Sequence, residues 1–532
     1  MSHGAGERNK RCSASSPRRL TGWSSGSRNT NGTNAGAFAR EGTFEMRPKW
    51  GRDGDRGDGV RPALLGDIVH KLPMDGAGAV PEVPITGIAC EPDEIRPGDL
   101  YVALARRTSG SIAAAVNRGA VAVVSEAGPE TDPGVPVVLV QDAVRALGHA
   151  AARLFGRPAR AVKTCGVTGS FGKSTVAQLA VAGLESAGHP AGVVEAARRG
   201  HPAPHRLQER LSSLRDSGAK TCVLAASARD LVLGRFEGMS FDSGVFLGVR
   251  DRDVGFYGGA AEYLDAKAEL FRGLGPKAVA AFNRDDPAWE PLAAETQAQV
   301  ITFGTDSRAD VSARVCRMDL GGTVLEVRTP VGTLALESRL VGPDHVTNTV
   351  AALTVALTLG ADLDAVAHGF ASMRSVPGRL ESLAVPEPYR VFIDIAPDPV
   401  ALKQVLLSLR PLVTGRLIVV IGPPAKTSAS RSGMALAAER LADAVIVTAG
   451  HAVDGDTMGG INEMMGGFEH PGRVLVSRSR RRAVEAALTH VRPDDAVLLV
   501  SRGDGAEERQ FVRDWFLGDL EAEALRGPVS EG

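Results

Sequence analysis

The chain has 532 residues, of which 43% are apolar and 23% are charged, and its formal net charge is -1. The length exceeds what one hydrophobic core can organise and predicts about three domains, while the composition is that of an ordinary globular protein. Because the net charge is close to zero, we expect no nucleic acid partner.

The cysteines indicate neither disulfide bonds nor a zinc site, because they are odd in number, scattered and never in a C-x-x-C pair. They are Cys12, Cys90, Cys165, Cys222 and Cys316. No apolar run approaches the roughly 20 residues that span a bilayer, and the N-terminus lacks the apolar stretch of a signal peptide. We therefore expect a cytoplasmic protein without membrane insertion.

Residues 1–62 are rich in Gly, Ser, Asn and Arg and contain almost no aliphatic side chains. Such a composition cannot bury enough apolar surface to offset its ordering entropy, so we predict a disordered, solvated tail. A basic tail that binds nucleic acid or a membrane is the alternative interpretation. Met46 lies inside the tail, which leaves the start of translation open between Met1 and Met46.

From Leu64 onward, short apolar runs alternate with Ala-rich amphipathic segments, which is the pattern of an α/β fold. Helices are predicted over 142–155 and 176–188, and strands over 121–126, 135–140, 163–167, 221–227, 243–249, 278–283, 416–422, 443–449 and 495–501. We predict a small N-terminal α/β domain (63–160), a central phosphate-loop domain with a mainly parallel sheet (161–378) and a C-terminal Rossmann-like domain (379–532).

The sequence TGSFGKST (168–175) carries the strongest chemical signal, because it joins a predicted strand to a predicted helix. Gly169 and Gly172 let backbone N–H groups face phosphate oxygens, and the helix N-terminus adds its positive dipole end. Lys173 would reach the terminal phosphates, and a hydroxyl just after it would bind magnesium. The strict Walker pattern requires a glycine at Val167, so a shorter phosphate loop is predicted.

This loop resembles the T-G-[TS]-x-G-K-[ST]-[ST] loop of the Mur ligases and the folylpolyglutamate synthetases. Further stretches resemble, in the same order, the Mur ligases that add the third residue to the UDP-muramoyl peptide. They are ITGIACEPDEIRPGDLYVAL (85–104), YLDAKAELF (263–271), NRDDP (283–287), TNTVAAL (347–353), VPGRLE (376–381) and DIAPDPVAL (394–402). The resemblance extends over residues 64–510, and on it the chain is identified as a member of the Mur ligase family.

The resemblance implies the chemistry of that family. In Mur ligases, ATP phosphorylates a substrate carboxylate, the amine of an amino acid attacks the acyl phosphate, and an amide, ADP and phosphate are formed. Most of the catalysis is then positioning and charge neutralisation. The resemblance implies ATP and magnesium as cofactors, and a UDP-muramoyl peptide-like compound and an amino acid as substrates. It leaves the oligomeric state open.

The motifs also imply roles for individual residues. Lys267, as a carbamate, would bind magnesium, Asn348 would contact the adenine, and Arg379 and Asp394 would hold the nucleotide from the C-terminal domain. The full implied set is Thr168, Gly169, Gly172, Lys173, Ser174, Thr175, Asn348, Arg379 and Asp394 for ATP, Ser174 and Lys267 for magnesium, and Lys173 and Lys267 for catalysis.

Four of these residues have simpler structural alternatives. Lys267 is alternatively a surface helix lysine that pairs with Glu262 or Asp265. For Asn348, Arg379 and Asp394, the alternatives are a helix cap, a partner in a loop salt bridge and the end of a strand. We keep these alternatives beside the functional assignments.

The match to the family breaks at several ligand positions. The glutamate of the family's E-V-S-S-H segment is Ala225 here and the histidine is Arg229, so one magnesium-binding carboxylate is missing. The segment LGVRDRDVGFY (247–257) has none of the family's histidines. The Asp-Ser-Arg that meets the uridine is replaced by residues 91–93, in which Asp93 takes the place of the arginine.

The substrate side of the C-terminal domain also differs. The Asp-Asn-Pro-Arg motif that reads the incoming diamino acid is replaced by GHAV (450–453), and G-K-G-H-E by SRGDGAE (501–507). Without that arginine, no bidentate clamp on the amino acid's carboxylate is possible there. The other changes are Ile395 and Pro397 in the D-Y-A-H-x-P motif and the loop 422–434, in which only Arg431 and Met434 keep their places.

Two classes of function stay open. The first is a Mur-family amide ligase with changed carboxylate and amine substrates. The second is a non-catalytic paralogue that binds ATP and has a regulatory or scaffold role. Carboxylates that converge beside Lys173 and Lys267 would favour catalysis, and the candidates are Asp251, Asp253, Asp285 and Asp286.

Overall fold

The architecture is that of a computed structural model, which describes residues 62–70, 72, 80–104, 109–194, 203–250, 257–424, 428–449, 457–501 and 505–526. The predicted tail (1–62) lies outside these ranges except for its last residue, and Met46 lies outside them. In the described part of the chain, every helix is too short or too polar to cross a bilayer.

The N-terminal part holds one small parallel sheet and a short antiparallel pair. Its elements are β1 Ala63–Leu64, α1 Leu65–Val69, β2 Pro84–Ile85, β3 Gly87–Ala89, β4 Asp99–Ala103, α2 Ser109–Asn117, β5 Ala122–Ser125, β6 Val137–Leu139 and α3 Ala143–Leu154. The sheet has the order β3-β4-β5-β6 with all neighbours parallel. Asp142 caps α3 by accepting a hydrogen bond from the backbone of Arg145, 2.9 Å away.

The central part is built on a nine-stranded sheet. Its strands are β7 Lys163–Thr168, β8 Ala191–Val194, β9 Thr221–Ala225, β10 Ser243–Phe246, β11 Val279–Asn283, β12 Gln299–Gly304, β13 Val311–Asp319, β14 Gly322–Thr329 and β15 Gly332–Ser338. Its helices are α4 Lys173–Ser186, α5 Pro204–Asp216, α6 Ala228–Val232, α7 Ala260–Arg272, α8 Trp289–Ala294, α9 Pro343–Thr358 and α10 Leu363–Ser372. The order is β15-β14-β13-β12-β11-β10-β7-β9-β8, so β7 lies between β9 and β10.

The C-terminal part has a six-stranded sheet in the order β16-β17-β21-β18-β19-β20, which is parallel except at β16. Its strands are β16 Glu381–Ser382, β17 Val391–Asp394, β18 Leu417–Ile421, β19 Ala444–Thr448, β20 Leu475–Ser477 and β21 Ala496–Val500. Its helices are α11 Pro399–Leu409, α12 Ser428–Leu441, α13 Thr457–Met465, α14 Arg480–Thr489 and α15 Ala506–Arg526.

The predicted three-domain α/β fold is confirmed, because each of the three large sheets falls inside one predicted domain. The nine strands predicted from apolar runs are all present, each within three residues of its predicted limits. The exact domain boundaries stay a prediction. The antiparallel strands β13 to β15 were not predicted, because half of β13 faces solvent and shows no continuous apolar run.

Candidate nucleotide site

The predicted phosphate loop joins β7, which ends at Thr168, to α4, which begins at Lys173. Gly169 has a φ of 152° and Gly172 a φ of 84°. Residues other than glycine rarely adopt such positive φ angles. A Cβ atom at Gly172 would lie 2.1 Å from Oδ1 of Asn348. Both backbone conformation and close packing therefore require glycine at this position.

The loop has the features that phosphate binding needs. Gly172 precedes α4 and has no side chain with which to cap the first N–H groups of the helix. The Nζ atom of Lys173 lies over the loop, 2.8 Å from the carbonyl oxygen of Gly169. Within the described part of the chain, no group forms a hydrogen bond with the buried Oγ1 atom of Thr168, and a phosphate oxygen could do so. The loop residues therefore fit a nucleotide polyphosphate.

Ser170 joins the phosphate loop to two neighbouring elements. Its hydroxyl oxygen lies 3.1 Å from that of Tyr263 on α7, and both side chains are buried. The same oxygen accepts a hydrogen bond of 2.8 Å from the backbone N–H of Arg250, which follows β10. The phosphate loop is thus held by the side chain of Tyr263 on α7 and by the backbone of Arg250 after β10.

Lys267 is buried on α7, with 1% of its surface exposed. Its Nζ atom lies 4.3 Å from the centroid of the Tyr263 ring. Lys267 is therefore not a surface lysine, as the simpler alternative assumed, and Asp265, one of the two partners named for it, pairs with Arg272 at 2.5 Å. A buried lysine requires charged or polar partners whatever its role, so the roles of Lys267 in catalysis and magnesium binding stay a prediction.

Asn348 lies within α9, six residues after Gly342 at the N-cap. It is buried, and its side chain packs against Gly172 of the phosphate loop. The alternative in which Asn348 caps a helix is therefore wrong. Its contact with the adenine stays a prediction, and the observed packing places it beside the phosphate loop.

Asp394 ends β17 and holds the loop that carries Arg379. Its Oδ2 atom accepts a hydrogen bond of 2.7 Å from the backbone N–H of Leu380. Burial raises the pKa of Asp394 to about 6, although this hydrogen bond and the guanidinium of Arg379 act in the opposite direction. The strand-end alternative describes its position correctly, and its role toward the nucleotide stays a prediction.

His345 is a neighbour of Arg379 that the sequence did not single out. It lies in the first turn of α9, fully buried, and burial lowers its pKa to about 4. The backbone of Arg379 acts on the pKa of His345 in the opposite direction, so the two residues are neighbours. Tyr263 was also missed, although it belongs to the YLDAKAELF stretch and its buried position could have been expected from helical spacing.

The family of the chain follows from its similarity to known proteins. Residues 167–356 match the Mur ligase middle domain, and residues 378–503 match the Mur ligase glutamate ligase domain. The "UDP-N-acetylmuramoyl-L-alanyl-D-glutamate--2,6-diaminopimelate ligase" of Geobacter metallireducens is 32% identical over 486 residues, covering 84% of this chain and 94% of the relative. The protein of the same name from Streptomyces coelicolor is 32% identical, covering 83% and 91%.

The chain belongs to the Mur ligase family. Solved structures agree on the fold. A structure of a ligase with that same name has a TM-score of 0.63 at 24% identity and covers 86% of this chain and 99% of its own. The MurF ligase from Thermotoga maritima in complex with ADP has a TM-score of 0.58 at 20% identity, covering 82% and 98%.

Two positions bear on the predicted binding of magnesium, Ser174 and Ala225. Ser174 lies half-buried in the first turn of α4 and offers a hydroxyl, as the first magnesium position requires. Ala225 pairs with Val167 beside the loop, is 3% exposed and has no donor atom. Position 225 therefore offers no side-chain ligand to a metal ion, where the family sequence resembled here carries a glutamate.

Two of the four carboxylates proposed as substitutes, Asp285 and Asp286, lie in the described part of the chain and bind backbone N–H groups. Asp285 accepts hydrogen bonds from the backbone of Thr305 at 2.7 Å and of Asp306 at 2.8 Å. Asp286 accepts one of 2.8 Å from the backbone of Val249. Both therefore stabilise turns. The other two candidates, Asp251 and Asp253, lie outside the described residues.

The N-terminal substitution has an unexpected partner. Asp93, which takes the place of the family's arginine, forms an ion pair of 3.0 Å with Arg118, the residue after α2. A guanidinium is therefore retained near this position, although from another element. Glu94 faces the central part of the chain, with its carboxylate 3.3 Å from Arg206 on α5.

Some of the positions at which the C-terminal domain departs from the family lie outside the described residues. Residues 450–453 lie outside them completely. Of the two positions that match the family, Met434 is buried in the core. Arg431 forms an ion pair of 2.7 Å with Glu463 on α13. Arg431 therefore already has a protein carboxylate as partner, so reading a substrate carboxylate would require exchange of that ion pair.

Proposed function

We propose that this Mur ligase is an ATP-dependent carboxylate–amine ligase with altered substrates, related to peptidoglycan precursor synthesis. Its carboxylate substrate would be a UDP-muramoyl peptide-like compound, and its amine substrate an amino acid. The observation that carries the proposal is the linked set of Ser170, Tyr263 and Lys267, which joins the phosphate loop to a buried lysine at one site.

The roles of the residues follow from their positions. The N-terminal N–H groups of α4 and Lys173 would bind and orient the polyphosphate. Magnesium, when bound, supplies Lewis-acid charge neutralisation, and Ser174 and carbamylated Lys267 would hold it. Asn348 would orient the nucleotide from α9, and Arg379 and Asp394 from the C-terminal domain. Much of the rate enhancement then comes from positioning two substrates at one place.

The substrate contacts support a change of specificity. Three positions at which the family contacts its ligands are changed. Ala225 replaces a metal ligand, Asp93 replaces a contact to the nucleotide sugar, and residues 450–453 replace the clamp on the amino acid. The nucleotide-binding loop keeps its glycines and lysine. This contrast between a retained ATP site and altered substrate positions favours a ligase with different substrates.

A nucleotide-binding protein without turnover was the alternative. The two relatives compared above carry the names of ligases, so they give this alternative no support. The missing carboxylate at Ala225 alone does not favour it, because the sequence keeps the glycines and lysine of the loop and also Lys267.

The proposal can be tested by ADP release. Purified protein would be supplied with ATP, magnesium, pooled UDP-muramoyl peptides and pooled amino acids, with each pool omitted in turn. We expect ADP only when ATP, a carboxylate donor and an amine are all present, and none with Lys173→Ala. ADP release that does not depend on either pool, or its complete absence, would overturn the proposal.

A further inference from the structure

Two consecutive residues of the phosphate loop contact different parts of the protein. Ser170 contacts Tyr263 in the central part. Phe171, the next residue, is half-buried and packs against the C-terminal cluster. We use this name for the buried apolar side chains that include Leu380, Phe392, Ala396, Leu402 and Met434.

Phosphate binding itself gives no reason for an aromatic residue at this position. The loop binds phosphate through backbone N–H groups, so the side chain at position 171 is not needed for that contact. An exposed aromatic ring beside a polyanion site would be unfavourable unless it buries its surface elsewhere. The ring of Phe171 does so against the C-terminal cluster, and this contact therefore explains its presence.

The C-terminal cluster also contains the residue that follows Arg379. Leu380 is 6% exposed, and its backbone N–H donates to Asp394 at 2.7 Å. The loop that presents Arg379 is thus anchored in the same cluster that receives Phe171. A second contact between the two parts lies nearby, where Gln404 on α11 donates to Asp344 on α9 at 2.7 Å.

We propose that Phe171 is a positioning residue that couples nucleotide binding in the phosphate loop to docking of the C-terminal domain. A nucleotide that orders the loop fixes the Phe171 ring, and this stabilises the docked arrangement in which Arg379 is presented. By linkage, docking strengthens nucleotide binding by the same factor. The inference rests on the proposed function for its nucleotide part only.

Leu320 offers a matched control. It follows β13 in the central part and packs against the same C-terminal cluster, but it lies in a turn outside the phosphate loop. Leu320→Ala therefore weakens the docking contact without touching the loop. Phe171→Leu keeps an apolar side chain and serves as the conservative variant if Phe171→Ala folds poorly.

The test combines two measurements on the full chain. Hydrogen–deuterium exchange without nucleotide would follow peptides over 169–175 and 376–382, and calorimetry would measure binding of a non-hydrolysable ATP analogue. We expect Phe171→Ala to speed exchange in both peptides and to weaken analogue binding about tenfold, equivalent to about 1.4 kcal/mol. Phe171→Leu should restore most of both. Leu320→Ala should also speed exchange over 376–382, and saturating analogue should slow that exchange again in Leu320→Ala but not in Phe171→Ala.

Each other outcome has a defined meaning. If Phe171→Ala leaves exchange over 376–382 unchanged without nucleotide, or if saturating analogue slows that exchange in Phe171→Ala as much as in Leu320→Ala, the coupling role of Phe171 is wrong. If the unaltered chain binds no analogue, the proposed function fails instead. The exchange measurement then still decides whether Phe171 holds the two parts together, because it needs no nucleotide.

Discussion

The hydroxyl oxygens of Ser170 and Tyr263 lie 3.1 Å apart, where the phosphate loop meets the helix that carries Lys267. The Tyr263 ring also forms the surface on which the Lys267 ammonium lies. One tyrosine therefore contacts two groups of the site by two different parts of its side chain. Its hydroxyl and its ring can be removed separately.

We predict that Tyr263→Phe lowers the free energy of unfolding by about 1 kcal/mol, because one buried hydrogen bond is lost and the ring is kept. Tyr263→Leu should cost more and should also lower ADP release, because the surface under Lys267 is removed. Chemical denaturation measures the first effect. Tyr389→Phe, which changes a tyrosine packed on Phe516 far along the chain, is the control and should leave turnover unchanged.

Lys173→Ala should weaken ATP binding roughly ten- to hundredfold, because charge-assisted contacts of this kind contribute about 1.5 to 3 kcal/mol. Lys163→Ala removes an exposed lysine at the start of the same strand, β7, and should bind ATP normally. Calorimetric titration of both variants measures the difference. Equal affinities for the two would contradict the assignment of the phosphate loop.

Ala225→Glu should create a magnesium-dependent protein. A buried carboxylate without a partner costs about 2 kcal/mol or more, so this variant should melt earlier than the parent in the absence of divalent cations. Magnesium should restore the melting temperature, since a ligand that binds the folded state stabilises it. Ala225→Gln has a similar size but no charge, and an equal response of both variants to magnesium would argue against a second-metal position here.

The raised pKa of Asp394 predicts a pH dependence of stability. Because the folded pKa of about 6 lies above the ordinary value of 3.8, the folded state binds the proton more tightly than the unfolded state. The contribution of Asp394 is therefore fully present below pH 3.8 and is lost as the pH rises through 6. The lowered pKa of His345 makes stability change with pH over the same range, but in the opposite direction. The effect of Asp394 is therefore measured as the difference in free energy of unfolding between the parent and Asp394→Asn at several pH values.

The free energy of unfolding of the parent, minus that of Asp394→Asn, should fall as the pH rises from about 4 to about 6.5. Above that range it should be constant. A difference that grows over the same interval would mean that the carboxylate of Asp394 is stabilised in its charged form. In that case Arg379 would be its true ion-pair partner.

Much of the fold was predictable from the sequence because parallel strands buried on both faces appear as continuous apolar runs. β10, β18 and β21 are such strands, and the glycines of the phosphate loop marked its sharp turn. The strands β13 to β15 were not predictable in the same way, because one of their faces meets solvent and the apolar signal is diluted.

The site was predictable only where a motif names its residues. Lys173 and Lys267 were found through local stretches, and the structure brings their elements together through Ser170 and Tyr263. The packing of Phe171 on the C-terminal cluster depends on residues more than 200 positions away, such as Leu380, and no local pattern encodes a contact over that distance. The turn-stabilising use of Asp285 likewise follows from tertiary geometry alone.

The central claim, a Mur ligase with changed substrates, is tested most directly by identifying the amide product by mass spectrometry. The purified protein would be given ATP and magnesium with UDP-muramoyl dipeptide and diaminopimelate or lysine, and in parallel with the pooled substrates. We predict an amide product from the pools, but no tripeptide product at an ordinary rate of about 1 per second. Tripeptide formation at that rate, or complementation of a strain depleted of its own third-residue ligase, would contradict the account.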